Sequence, residues 1–189
     1  MKRLQHLPNM ITMARMALVP LLILVLKDHR YLDALWVFLV AGVSDGLDGY
    51  IAKRFGFVSQ LGAILDPLAD KILLVSAYIM LAVLALVPFW LVLVVTFRDV
   101  LIVGGYLVYT SLYGPVSMRP SRVSKFNTFT QILLVVFVLG ERAFAFHVAH
   151  LQGAFVFAVL VTTIASGGHY LWAWGIVRDI EAGPRARRG

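Results

Sequence analysis

The sequence predicts an all-α polytopic membrane protein, a bundle of six transmembrane helices with an amphipathic segment at its N-terminus. Three observations support this prediction. Of the 189 residues, 60% are hydrophobic and only 14% are charged, and a soluble domain of this size cannot bury so much apolar surface. The apolar residues fall into long runs. The connections between the runs are short, and they hold most of the glycine, proline and charge.

The six apolar runs are candidate transmembrane helices, because a helix that crosses a bilayer needs about 20 predominantly apolar residues. In chain order the runs cover residues 12–26, 34–52, 62–84, 87–110, 126–140 and 151–177. The sequence contains no repeat and no low-complexity segment. We expect residues 1–180 to form one transmembrane domain and residues 181–189, which are polar and rich in arginine, to form a mobile basic tail.

The distribution of positive charge predicts the orientation in the membrane. If the N-terminus is cytoplasmic, eleven of the seventeen lysines and arginines lie in cytoplasmic segments, three in outer segments and three within the runs. Cytoplasmic loops carry an excess of positive charge, so both termini are expected in the cytoplasm. The net charge of +7 lies between and beyond the apolar runs, which favours anionic lipids or phosphates as partners over nucleic acid. The short N-terminus, without a cleavable signal sequence or transit peptide, favours a prokaryotic inner membrane.

Four aspartates interrupt the second and third apolar runs, and each would cost roughly 2.5–3.5 kcal/mol at the centre of a membrane helix. Asp45 and Asp48 are three residues apart, so they share one helical face. Asp66 and Asp70 are four residues apart and also share a face. The connection between the two runs is short, so antiparallel helices can bring both acidic faces together on the cytoplasmic side. Carboxylates this close need positive charge, which two Mg²⁺ or Mn²⁺ ions would supply.

Small and basic residues flank the two acidic pairs. Gly49 directly follows the first pair, and Gly62 precedes the second pair by four residues. Glycine within a helix costs about 1 kcal/mol relative to alanine, so both glycines indicate the close approach of a ligand. Ala52 is small on the same side. Lys53 and Arg54 would place cations beside the metals, where a phosphate would bind.

Together these residues form a single pattern, which reads Asp45-x2-Asp48-Gly49-x2-Ala52-Lys53-x8-Gly62-x3-Asp66-x3-Asp70. The pattern resembles the signature of the CDP-alcohol phosphatidyltransferase family, and seven of eight marked positions match over 26 residues. The departure is Lys53, where the family normally has arginine. Residues 7–12 with Arg15, residues 66–71, the pair Arg98-Asp99 and residues 124–131 resemble further motifs of the family.

The resemblance implies six helices, a homodimer and a site that faces the cytoplasm. It implies that Asp45, Asp48 and Asp66 hold two divalent metal ions. Asp70 would complete the metal site and act as general base on the acceptor hydroxyl. The donor would be CDP-diacylglycerol, and CMP would leave. The residues expected to bind the CDP pyrophosphate are Asn9, Thr12, Gly49, Ala52, Lys53, Arg54 and Gly62.

Two acceptors compete, glycerol 3-phosphate and phosphatidylglycerol. The phosphatidylglycerophosphate synthases of the family commonly carry an arginine eight residues after the equivalent of Arg98 and a Lys-x-Lys-Thr motif in the fifth helix. Here the first position holds Tyr106, and the second lysine is replaced by Asn127. Two cations that would bind a phosphomonoester are therefore missing, and we predict phosphatidylglycerol as acceptor and cardiolipin as product. The residues expected to bind the phosphate of the acceptor or lipid are Arg98, Lys125, Arg119 and Arg122.

Other interpretations stay open at this point. Aspartates within a membrane also form ion pathways in transporters, although inverted repeats would then be usual. A lipid-binding protein without enzymatic activity would not need a fourth carboxylate as base. Among single residues, Arg15 could reach the membrane interface, and Asp99 could simply orient Arg98. Lys71 could neutralise Asp70 or Asp66 instead of touching substrate.

Overall fold

The computed structural model is helical throughout most of the part that it describes. It describes the backbone of residues 7–55, 60–113, 122–146 and 148–185, and the side chains of residues 13, 15–44, 71–105, 122–146, 148, 150–170 and 172. In chain order the helices are α1 (Leu7–Lys27), α2 (Tyr31–Phe55), α3 (Gln60–Val83), α4 (Phe89–Tyr113), α5 (Arg122–Ala143) and α6 (Ala149–Arg185). Each helix overlaps one predicted run, and these described ranges contain no strand. The all-α prediction is confirmed.

Several helices extend past the apolar runs that predicted them. Helix α1 begins at Leu7, so the expected amphipathic segment forms its first turns and is not a separate element. Helix α6 continues to Arg185, so residues 181–185 of the expected tail are helical, and residues 186–189 lie outside the described part of the chain. Hydropathy locates only the apolar portion of a helix, and a helix that has already formed can add further residues whatever their hydropathy.

Tight turns that join α1 to α2 and α3 to α4 contain a residue in the left-handed conformation. His29 and Ala85 each have φ = 56°. In the first turn the Arg30 amide donates to the Val25 carbonyl at 3.0 Å, and in the second the Leu86 amide donates to the Leu81 carbonyl at 2.8 Å. This pairing over five residues is the Schellman arrangement that ends many helices, usually with glycine at the left-handed position.

Replacing Ala85 by glycine is therefore expected to stabilise the protein by about 0.5–1 kcal/mol. The left-handed conformation costs an L-residue roughly 1–2 kcal/mol, and the greater freedom of glycine in the unfolded chain offsets part of that gain. The thermal unfolding midpoint in detergent measures the change. Ala82→Gly, inside α3, is the matched control and should destabilise by about 1 kcal/mol. Equal losses of stability in both variants would contradict the turn geometry.

The packing order of the helices differs from their order in the chain. Helix α1 packs against both α2 and α3, and these two contact each other less than either contacts α1. Helix α5 packs against α2 and α6, and α4 packs against α6 and α3. The apolar core draws on all six helices, with Leu22, Phe38, Tyr78, Leu91 and Val159 among its buried members, one each from α1, α2, α3, α4 and α6.

Among the described side chains, many large apolar ones are exposed and several polar ones are buried. Trp36, Phe97 and Phe157 are more than half exposed, whereas soluble monomers rarely expose large contiguous apolar patches. The buried polar or charged residues among those described are Arg15, Arg98, Asp99, Asn127, Thr130, Gln131, Glu141, Thr163 and Ser166. Two described stretches, Arg122–Ala143 and His150–Tyr170, are long and apolar enough to cross a membrane. This distribution supports association with a membrane.

Candidate active site

The four aspartates lie on two helices that both pack against α1. Asp45 and Asp48 are near the end of α2, and Asp66 and Asp70 are in the first half of α3. The backbone is α-helical across both pairs, so their spacing puts each pair on one helical face, as predicted. The side chains of these aspartates lie outside the described part of the structure, and their role as metal ligands stays a prediction.

The residues predicted to bind the pyrophosphate lie at three helix ends. Asn9 and Thr12 are in the first turns of α1, Gly62 is in the first turn of α3, and the others are at the end of α2. A tight turn joins α1 to α2 at the opposite end of α1, and α1 packs against α2 and α3. The three ends therefore belong to one side of the bundle. The side chains of these residues, and the whole of Arg119, lie outside the described part of the structure.

The chemistry of the two acidic pairs fits a divalent metal. Carboxylate oxygens are the ligands that Mg²⁺ and Mn²⁺ prefer. Within the described part of the chain, no group of three or more histidine, aspartate or glutamate side chains lies close enough together to hold a metal ion.

Arg15 is a buried cation on α1, the helix that packs against both helices that carry the aspartates. Its exposed fraction is 2%, and in the described part of the chain α1 contacts α2 and α3. The side chain therefore does not reach the membrane interface, and the snorkelling alternative is wrong. A buried guanidinium on α1 can offset part of the negative charge of acidic pairs on the helices against which α1 packs. The sequence identified Arg15 only as part of a motif, because burial of an arginine leaves no trace in hydropathy.

Arg98 is the centre of a polar network that joins three helices. Its Nη1 donates to Oδ1 of Asp99 at 2.6 Å, and its Nη2 donates to Oγ of Ser124 in α5 at 2.6 Å. The same Nη2 also donates to Oγ of Ser166 in α6. Both terminal nitrogens of this buried guanidinium thus have protein partners, so the structure supports an orienting role for Asp99. The prediction that Arg98 binds a phosphate stays a prediction.

Lys71 extends this network to α3. Its Nζ donates to Oδ2 of Asp99 at 2.7 Å, and its side chain is 32% exposed, against 8% for that of Asp99. Lys71 follows Asp70 directly in the sequence. The network therefore ties the part of α3 that carries the expected base to α4, and through Arg98 to α5 and α6.

Asn127, where the resemblance implies a lysine in phosphatidylglycerophosphate synthases, is fully buried. Its Oδ1 accepts hydrogen bonds from the hydroxyls of Thr162 and Thr163, each at 2.9 Å. The side chain therefore connects α5 to α6 inside the bundle. Tyr106 is the position of the other missing cation, and its side chain lies outside the described part of the structure.

Two predicted phosphate ligands lie at the start of α5 and are accessible. Arg122 is the first residue of α5, and Lys125 is one turn further on. Both side chains are exposed. They are therefore free to approach a lipid or acceptor phosphate, in contrast to the enclosed Arg98.

An apolar groove of about 360 Å³ runs between α2, α3 and α5. Gly42 of α2 and Leu73 of α3 both line it. Gly42 precedes Asp45 by three residues, and Leu73 follows Asp70 by three residues. One helical turn therefore separates the groove from each acidic pair, and its walls suit an acyl chain.

Comparison with known proteins identifies the family. Residues 5–173 match the family model described as CDP-alcohol phosphatidyltransferase. The chain belongs to this family. The resemblance of the acidic motif is thereby confirmed, and the family transfers phosphatidyl groups and generally depends on divalent metals.

The chain is similar both to cardiolipin synthases and to phosphatidyltransferases that are named for glycerol 3-phosphate. It is 37% identical, over 92% of the chain, to a cardiolipin synthase (CMP-forming) / mitochondrial hydrolase fusion protein of Schizosaccharomyces pombe, and covers 32% of that protein. It is 33% identical, over 93% of the chain, to the cardiolipin synthase (CMP-forming) of Homo sapiens, and covers 64% of it. It is 32% identical, over 69% of the chain, to the CDP-diacylglycerol--glycerol-3-phosphate 3-phosphatidyltransferase of Bacillus subtilis, and covers 74% of it. The chain thus spans about one third of the length of the first of these cardiolipin synthases and just under two thirds of the second.

Proposed function

We propose that this chain transfers a phosphatidyl group from CDP-diacylglycerol to a hydroxyl of phosphatidylglycerol, with Mg²⁺ or Mn²⁺, and forms cardiolipin and CMP. The observation that carries the proposal is the complete acidic motif in a member of the CDP-alcohol phosphatidyltransferase family, with each aspartate pair on one face of a helix. The cardiolipin synthases among the relatives support this acceptor.

The roles follow from the chemistry of the transfer. The carboxylate of Asp70 takes the proton of the acceptor hydroxyl. The acceptor oxygen then bonds to the phosphorus nearer diacylglycerol, while the bond from this phosphorus to the CMP oxygen breaks. Asp45, Asp48, Asp66 and Asp70 would hold divalent cations, which neutralise charge that develops on the pyrophosphate. The basic residues Lys53 and Arg54 bind the pyrophosphate of the donor.

The setting of this chemistry is a six-span homodimer with both termini and the site on the cytoplasmic side. Six helices, large exposed apolar side chains among the described residues and the excess of positive charge in the expected cytoplasmic segments support the spans and the orientation, and the homodimer is what the family resemblance implies. A prokaryotic inner membrane is the proposed location. The groove between α2, α3 and α5 would receive an acyl chain of the donor, one helical turn from the acidic pairs.

The environment of Asn127 supports a lipid acceptor. Phosphatidylglycerol carries a single negative charge on its phosphodiester. Glycerol 3-phosphate carries nearly two negative charges on its phosphomonoester, so its binding needs more cationic side chains. Here the position of the second lysine of the Lys-x-Lys-Thr motif is taken by a buried asparagine that accepts hydrogen bonds from Thr162 and Thr163. At this position the chain therefore has a side chain that joins α5 to α6, and it lacks an ammonium group that could bind an acceptor phosphate.

Phosphatidylglycerophosphate synthase is the second candidate. The Bacillus subtilis relative is named for transfer to glycerol 3-phosphate, and the exposed Lys125 and Arg122 would be cations for its phosphate. A coupled assay separates the two candidates. The purified chain with CDP-diacylglycerol and Mg²⁺ should release CMP on addition of phosphatidylglycerol and not of glycerol 3-phosphate, and chelation of the metal should stop the release. Release with glycerol 3-phosphate alone would favour the second candidate.

A further inference from the structure

Two side-chain amides of α5 are enclosed in the interior of the bundle. Asn127 and Gln131 are each 0% exposed. They are four residues apart on one continuous helix, so they lie on the same face with Cβ atoms about 5–6 Å apart. Leu134 and Val135, in the next turn, belong to the apolar core. Asn127 and Gln131 are called the buried amide pair below.

Three polar atoms of the buried amide pair have no hydrogen-bond partner among the protein groups that the structure describes. They are Nδ2 of Asn127 and both Nε2 and Oε1 of Gln131. The large majority of buried polar side-chain atoms in proteins do have a partner. Exchanging the two ends of the Asn127 amide does not remove the problem, because one end would face the threonine hydroxyls of α6 and the other end would still have no partner.

The polar groups around the buried amide pair come from two further helices. Oδ1 of Asn127 accepts hydrogen bonds from the hydroxyls of Thr162 and Thr163 in α6, each at 2.9 Å. The hydroxyl of Tyr78 in α3 donates to the main-chain carbonyl of Gln131 at 3.3 Å. A hydroxyl that donates one hydrogen bond can still accept others. The place where α3, α5 and α6 meet therefore has both donors and acceptors left for a small ligand.

The unused groups of the buried amide pair determine the chemistry of that ligand. Both side chains offer N–H donors, and Gln131 also offers a carbonyl acceptor. A cation would be repelled by the N–H groups, and an anion by the carbonyl oxygen, so the ligand is neutral and both accepts and donates. A water molecule at about 2.9 Å from each of two groups spans about 5–6 Å, which is the spacing of side chains in neighbouring helical turns. Internal water typically bonds to about three such polar groups.

A polar face of α5 connects the buried amide pair to the network around Arg98. Ser124 accepts a hydrogen bond from Arg98 and precedes Asn127 by three residues. Ser124, Asn127 and Gln131 therefore follow one another along a single face, over about 10 Å at 1.5 Å per residue. On α6, Ser166 also accepts a hydrogen bond from Arg98. Polar groups between α5 and α6 thus lead from Arg98 to the buried amide pair.

We propose that the buried amide pair binds an ordered water molecule inside the bundle. The water accepts a hydrogen bond from Nδ2 of Asn127 and donates one to Oε1 of Gln131, at the turn of α5 where the Tyr78 hydroxyl contacts the main chain. It supplies the partners that the protein groups lack. This inference is independent of the proposed function, because the site needs neither a donor nor an acceptor lipid.

Radiolytic hydroxyl-radical labelling tests for bound water in the unmodified chain. A short X-ray pulse in H₂¹⁸O produces radicals from bound water as well as from solvent, and mass spectrometry locates the labelled side chains. Tyr78 is 1% exposed and Phe38 is 5% exposed, so exposure alone predicts less labelling at Tyr78. We expect more labelling at Tyr78, after correction for the intrinsic reactivity of each ring, because Phe38 lies among apolar core side chains.

Gln131→Leu removes an amide of the buried pair and keeps a side chain of similar volume. We expect the labelling of Tyr78 to fall about fivefold, the equivalent of one net hydrogen bond of about 1 kcal/mol. Gln152→Leu is the matched control, because Nε2 of Gln152 in α6 already donates to the Leu86 carbonyl at 2.6 Å. It makes the same chemical change at a glutamine with a protein partner, and it should leave the labelling of Tyr78 unchanged.

The measurement on the unmodified chain decides the proposal even if Gln131→Leu does not fold. Labelling at Tyr78 no higher than at Phe38 would overturn it. Equal labelling of Tyr78 in the unmodified chain and in a folded Gln131→Leu variant would also overturn it, because the radicals would then come from elsewhere than the buried amide pair. A chain that shows the expected labelling but forms no cardiolipin would support the water site and contradict only the proposed function.

Discussion

Asp70→Asn is expected to lower the rate of CMP release by about 10²–10⁴-fold, the usual contribution of a general base. Asparagine has a similar shape but cannot accept the proton of the acceptor hydroxyl. Asp45, Asp48 and Asp66 remain available for the metals, so binding of CDP-diacylglycerol should persist in part. Turnover is measured by CMP release at saturating substrate, and donor binding by equilibrium binding of labelled CDP-diacylglycerol.

Asp33→Asn is the matched control for that variant. Asp33 forms an ion pair with Arg30 at the start of α2, and the two side chains are 44% and 64% exposed. This variant should turn over at the unmodified rate. Equal losses of donor binding and turnover in Asp70→Asn would make Asp70 chiefly a metal ligand. Unchanged turnover would show that Asp70 is not the base.

Asp99→Asn is expected to destabilise the fold by about 3 kcal/mol, at the lower end of the roughly 3–5 kcal/mol for breaking a buried ion pair. The substitution leaves the buried Arg98 guanidinium and the Lys71 ammonium without the carboxylate that both contact. The lower figure is chosen because Lys71 is about one-third exposed and solvent screens part of its charge. The change is read from the midpoint of denaturation in a lipid–detergent mixture.

Asp33→Asn is also the control for the stability of Asp99→Asn, because Asp33 forms an exposed ion pair with Arg30. Asp33→Asn removes the same kind of carboxylate from a surface pair, which is worth about 0–1 kcal/mol. The stability difference between the two variants then reports the burial of the Asp99 pairs. Similar midpoints for both variants would mean that Asp99 contributes no more than a surface charge, and the network around Arg98 would not hold the four helices together.

The part of the site that the sequence predicted depends on local periodicity. Residues three and four apart share a helical face wherever the backbone is α-helical, so the grouping of Asp45 with Asp48 and of Asp66 with Asp70 needed no tertiary information. The existence of the six helices could also be predicted without tertiary information, because each contains an apolar run. The helix ends were less predictable, as α1 and α6 extend into polar residues.

The contacts between distant segments could not be predicted from the sequence. Arg98 donates to Ser124 and Ser166, which are 26 and 68 residues away, and single serines on helices carry no pattern that marks a partner. In the sequence Asn127 stood out as a missing lysine and as part of residues 124–131, which resemble a family motif. The structure adds what the asparagine does, which is to accept hydrogen bonds from Thr162 and Thr163. The burial of Arg15 likewise depends on how α1 packs against α2 and α3.

Identification of the lipid product tests phosphatidyl transfer to a lipid acceptor most directly. The purified chain would receive unlabelled CDP-diacylglycerol, deuterated phosphatidylglycerol, unlabelled glycerol 3-phosphate and Mg²⁺ in one reaction, and the lipids would be separated by mass. We expect cardiolipin with one deuterated and one unlabelled phosphatidyl group, in equal amount to the CMP released, and none after metal chelation. Phosphatidylglycerophosphate as the only new lipid, or no metal-dependent product at all, would contradict the proposed function.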